Sequence, residues 1–169
     1  DQHSIAGMLE LETAYPDQCF AMMGLHPCSV KENYEEELAI VKKWLDQRDF
    51  LAVGEIGIDL YWDKTFVKEQ QAAFLQQVEW ALAIDRPIVI HARDSIDMLI
   101  ELVQEAQNGH LRGVFHCFTG DSAQAQQIMD LGFYLGIGGV LTFKNAGLDK
   151  TLFELPLDRI ILETDAPYL

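Results

Sequence analysis

The stretch Leu51-Ala52-Val53-Gly54-Glu55-Ile56-Gly57-Ile58-Asp59 decides the fold. Its apolar residues do not alternate strictly with polar ones, the pattern of a strand covered on both faces, and such strands belong to parallel sheets flanked by helices. Glu55 then needs a reason, because a buried strand gains nothing from an ionisable side chain. Three further runs end in the same way: Pro87-Ile88-Val89-Ile90-His91, Val114-Phe115-His116 and Ile160-Ile161-Leu162-Glu163-Thr164-Asp165. Each carries a residue able to bind a metal at the carboxyl end of a strand-like run, where barrel folds place their chemistry.

Working outward, helical periodicity fills the gaps between these runs. Tyr34, Leu38, Val41 and Leu45 share one face of a helix within 32–48, and Phe74, Val78, Ala81 and Leu82 share one within 66–84. Ile96, Leu99, Ile100 and Val103 repeat the theme in 94–108, with Asn108-Gly109 as a stop, and Asp121 or Ser122 can cap a helix that ends before Gly132. Six strands are expected, at 19–26, 51–57, 87–91, 113–117, 133–138 and 159–164.

From His26 to Glu55 is 29 residues, to His91 a further 36, to His116 a further 25 and to Asp165 a further 49, the last interval holding an extra unit at Phe133–Gly138. A (β/α)8 barrel of about 250 residues allots roughly 31 to each unit. The expectation is a single α/β domain over 1–169, a partial barrel of about six of eight units, lacking the N-terminal strand or strands and the C-terminal segment.

The chain has 169 residues with 49% hydrophobic content, which excludes disorder as the default. No apolar run approaches the roughly 18 residues of a membrane helix, and the first 20 residues lack a signal-peptide pattern. No membrane association, a cytoplasmic location and no obligate protein partner are therefore expected. Cys19, Cys28 and Cys117 form no C-x-x-C pair, so neither a disulfide framework nor a thiolate zinc site is indicated. A net charge of −15 repels nucleic acid over the surface as a whole, so any chemistry on it must rely on bound cations or a few local basic residues.

Glu55, His91, His116 and Asp165 together offer mixed nitrogen and oxygen ligation suited to divalent ions such as Mg, Mn or Zn. A carboxylate such as Glu55 can bridge two cations, and a cation pair can activate water and clamp a phosphoryl oxygen. The strength lies in four candidates at four strand ends, because none of the local motifs is persuasive alone. His26 in Gly24-Leu25-His26-Pro27 reads either as a donor to a substrate phosphate or as a turn histidine. Arg93 reads either as a phosphate clamp or as an ion-pair partner of Asp94 or Asp97.

At these residues the sequence resembles the TatD family of metal-dependent deoxyribonucleases. The matching segments are Gly24-Leu25-His26-Pro27, Gly54-Glu55-Ile56-Gly57-Ile58-Asp59, His91-Ala92-Arg93-Asp94, His116-Cys117-Phe118-Thr119-Gly120 and Glu163-Thr164-Asp165-Ala166-Pro167-Tyr168-Leu169, in family order. The resemblance implies a TIM-type barrel with two divalent metals in the complete protein: Glu55 bridging, His91 and His116 on one, Asp165 on the other. It places His26 and Glu163 in the active site, Glu163 as a catalytic residue, and implies hydrolysis of DNA phosphodiesters, often from a 3′ end, with Asp165 orienting or deprotonating the water. The family's first-strand His-x-His has no counterpart, since Gln2-His3-Ser4 is not that motif. The chain is accordingly expected to be the central piece of a longer protein. The same barrel could instead hydrolyse small esters or amides, or the chain could be a catalytically inactive fragment that binds metal poorly.

Overall fold

The computed structural model of the chain describes residues 1–166. Five parallel strands, β1 (Val53–Asp59), β2 (Ile88–Arg93), β3 (Gly113–His116), β4 (Tyr134–Ile137) and β5 (Ile160–Leu162), pair in the order β1-β2-β3-β4-β5. A doubly wound sheet reverses its strand order at a switch point, whereas a barrel adds each strand beside the last. The unbroken order is that of a (β/α)8 barrel of the TIM type, present here in part.

Four helices fall where the periodicity puts them, α2 (Tyr34–Gln47), α3 (Val67–Ala83), α4 (Ile96–Ala106) and α5 (Ser122–Asp130), and two more, α1 (Gln2–Ala14) and the short α6 (Leu148–Phe153), lie outside the periodic stretches. Asp121 starts α5 with a full capping box, its carboxylate accepting from the backbone of Ala123 and Gln124 while the Gln124 side chain accepts from Asp121 N–H. Helix α4 stops at Ala106, before Asn108-Gly109, and the Gln107 side chain donates to the carbonyls of Leu111 and Leu131. Ile56 and Ile58 of β1, Ile88 and Ile90 of β2, Phe115 and Leu135 are fully buried among α3–α5 residues such as Phe74, Leu99, Val103 and Ile128.

One expected strand is not made. Within 19–26 only Met23 bridges to Val53, supported by backbone hydrogen bonds around Ala21, Ala52 and Gly54. Two features stop the ladder. Strand β1 carries an extra residue, since Val53 pairs with Ile88 but Ile56 with Ile90, so its edge turns away after Gly54. Beyond that point Gln77 of α3 replaces the missing strand neighbour, accepting from Leu25 N–H at 2.6 Å and donating to Leu25 C=O at 3.4 Å.

A candidate metal centre at the carboxyl ends of the strands

The bulge of β1 sets the direction of Glu55. An extra residue at Gly54-Glu55 re-aims the side chain that a regular pleat would place differently, and Gly54 is required because a Cβ there would lie 2.7 Å from Val89 Cβ. Glu55 therefore sits inside β1 rather than at its end, which belongs to Asp59. On the neighbouring strands Gly57, His91 and His116 occupy one row of the sheet, Gly57 paired with His91 and His91 with His116. Glu163 follows β5, where its N–H donates to Ile137 C=O.

The two Glu55 oxygens face different partners. Oε2 lies 3.7 Å from His26 Nε2, and Oε1 lies 3.8 Å from His116 Nε2. His116 Nε2 is also 3.9 Å from Asp165 Oδ1, whose side chain is half exposed. Donor atoms of His26, Glu55 and His91 all lie within 4.8 Å of one another. The tight group is thus His26, Glu55 and His91, with His116 beside Glu55 and Asp165 beside His116, and the place of His26 in it is one that a turn histidine before Pro27 does not signal.

Hydrogen bonds fix which imidazole nitrogen is free. His91 Nε2 lies 2.9 Å from Asp59 Oδ2. Burial pushes the Asp59 carboxyl up, but hydrogen bonds from His91, Trp62 and Tyr61 outweigh it and hold it below its usual value. An ionised carboxylate only accepts, so Nε2 carries a proton, and in the neutral ring the lone pair is on Nδ1. His116 repeats this in mirror image, with Nδ1 3.0 Å from Glu163 Oε2 and Nε2 left to face Glu55 and Asp165. The bond from Glu163 is the main reason that the His116 pKa is raised, against the opposing effect of burial.

His26 is held the other way. Its Nδ1 accepts from Cys28 N–H at 3.1 Å, and burial, with His91 close by, lowers its pKa to about 4. At neutral pH it is uncharged with the proton on Nε2, a donor aimed at Glu55 Oε2. Ligating a cation through Nε2 would cost His26 the Cys28 bond, whereas His91 and His116 keep the bonds of their other nitrogens to Asp59 and Glu163. The donor set thus fits divalent ions: two imidazoles with lone pairs pre-set by carboxylates, and two further carboxylates.

Glu163, expected to act on the reaction, is engaged behind His116, accepting from its Nδ1 and from Cys117 N–H. It fits only because β4 carries Gly136, where a Cβ would fall on the Glu163 carboxylate. Arg93 forms no ion pair with Asp94 or Asp97 among the described residues; its guanidinium lies 4.3 Å above the Tyr61 ring. It borders a cleft of about 550 Å³ with His91, His116, Phe143 and Asp165. Asp59 is the residue of this cluster to which the sequence assigned no role. Its signal was only its place at the end of the Gly57-Ile58-Asp59 run, because its partner His91 lies 32 residues away.

This site on a sequentially ordered parallel barrel defines a class of metal-dependent hydrolase. The family of TatD related DNases matches residues 1–169, and the chain belongs to that family. It is 36% identical over its full length to the uncharacterized metal-dependent hydrolase YabD of Bacillus subtilis, covering 66% of that protein. It is 35% identical to a 3′-5′ ssDNA/RNA exonuclease TatD of Edwardsiella piscicida, over 97% of this chain and 64% of that protein. Among solved structures, YjjV, a TatD homologue from Escherichia coli K12, superposes with a TM-score of 0.88 at 31% identity, covering 98% of this chain and 64% of that one. The chain thus spans just under two thirds of the length of these relatives. Of the last matching motif, Pro167, Tyr168 and Leu169 lie outside the described residues.

Proposed function

We propose that the chain carries the catalytic part of a divalent-metal-dependent phosphodiesterase that hydrolyses DNA, trimming from a 3′ end. The observation that carries this reading is the pair of imidazoles, His91 and His116, with opposite free nitrogens, each fixed by its own carboxylate and each close to Glu55. Glu55, His91, His116 and Asp165 would hold the ions, Mg, Mn or Zn. Bound there, divalent ions supply Lewis acidity toward water and a phosphoryl oxygen.

The chain's residues do the rest. His26 donates from Nε2 to a phosphoryl oxygen, and Arg93 neutralises the phosphate from the wall of the cleft. Asp165, the most exposed of the carboxylates at the site, takes the proton of the attacking water. Glu163 and Asp59 are positioning residues that set the imidazole tautomers. The test compares single-stranded DNA with a panel of small esters and amides under the same metal conditions, before and after chelation. Release of nucleotides from a 3′ end, abolished by chelator and restored by Mn, is expected. Turnover of esters without DNA cleavage would overturn the nuclease reading in favour of a small-molecule hydrolase.

Asp59→Asn separates positioning from ligation. Asn offers an N–H as readily as an oxygen to His91 Nε2, so the tautomer is no longer enforced. Metal affinity should fall by about 10- to 100-fold, the usual cost of losing such a partner, measured by calorimetric titration. An unchanged affinity would remove Asp59 from the site.

A further inference from the structure

The acidic surface leaves open how this site would hold a nucleic acid at all. Beside it, Tyr61 and Trp62 are 53% and 72% exposed. They are not loosely placed: Tyr61 N–H and Trp62 N–H donate at 2.9 and 3.1 Å to Oδ1 of Asp59, whose Oδ2 binds His91. One buried carboxylate thus fixes both the imidazole and the turn that carries the two rings. Arg93 covers one face of Tyr61, and Trp62 stands nearly perpendicular to Tyr61 at 4.8 Å between centroids. A cavity of about 190 Å³ opens beside the indole, walled by Val30, Phe66 and Asp59, with Lys31 at its rim paired to Asp63.

We infer that Trp62, braced by Tyr61 and Arg93, is a stacking subsite for one nucleobase of a single-stranded nucleic acid whose adjoining phosphate lies in the cleft beside Arg93. This rests on the proposed nuclease reading and names its substrate as unpaired strand. A protein with a charge of −15 gains little from general attraction to phosphates. Stacking supplies affinity without charge, accepts any base, and requires that the base be unpaired. Trp62 lines the cavity, and Arg93 lines the cleft while stacking on Tyr61, so base and phosphate would occupy neighbouring compartments joined by the Arg93–Tyr61 pair.

The test measures binding of a fluorescent thymidine oligomer and of an equally long abasic oligomer, in chelator so that neither is cut. The readout is the ratio of their dissociation constants. The wild-type chain should favour the thymidine oligomer; Trp62→Ala should shrink that preference about tenfold, and Trp62→Phe should restore most of it. A ratio that Trp62→Ala leaves unchanged, or a wild-type chain without preference, would overturn the subsite. Hydrolysis of the abasic oligomer by the Mn-loaded protein checks the underlying reading separately, because cleavage without base preference removes the subsite alone, and absence of cleavage of both oligomers removes both.

Discussion

Glu55→Gln should lower hydrolysis roughly a thousandfold. The amide has the same shape, but one of its two positions becomes an NH2 that repels a cation, so it cannot serve the His26 side and the His116 side together. Lewis-acid stabilisation is worth several kcal/mol, and each 1.36 kcal/mol is a factor of ten in rate. Cation affinity measured by titration should fall in parallel, a readout that does not depend on turnover. Melting temperature should change little, since among the described residues Glu55 accepts no hydrogen bond that the fold depends on. A variant with near-normal turnover would exclude Glu55 from any bridging role.

Gly57→Ala should be the most damaging small substitution in the sheet. Gly57 has φ of +149°, a conformation closed to residues with a Cβ, and an added Cβ would fall on the carbonyl oxygen of His91. The strain and the overpacking together should cost about 3 kcal/mol or more. That corresponds to a fall of roughly 6–12 °C in the melting temperature of a chain this size. His91 would also be pushed from its row with His116, so cation affinity should drop along with stability. A melting temperature within a degree or two of the parent would show that β1 and β2 can part without penalty.

The difference between what was legible in the sequence and what was not follows the range of the interactions. Helix α5 could be read from a local code, the capping box at Asp121–Gln124 before its apolar face. The strand runs were readable because burial on both faces leaves a composition. The run at 19–26 carried that composition too, yet it forms one bridge, because a bulge on its neighbour and Gln77, 52 residues from Leu25, decide its pairing. Glu55, His91, His116 and Asp165 stood out as ionisable groups in apolar company. What each imidazole does with its second nitrogen was invisible, since Asp59 and Glu163 meet their histidines only through the tertiary fold.

That separation along the chain gives the site an order of assembly. His116 and the Glu163 that fixes its tautomer are 47 residues apart, and at synthesis rates of 5–20 residues per second they emerge about 2–9 s apart. Until β5 docks on β4, His116 is free to present either nitrogen to a passing ion, whereas His91 already has Asp59 from an earlier strand. Cation capture with the native geometry is thus a late event of folding, and an ion bound before β5 arrives would have to let go of one nitrogen and take the other.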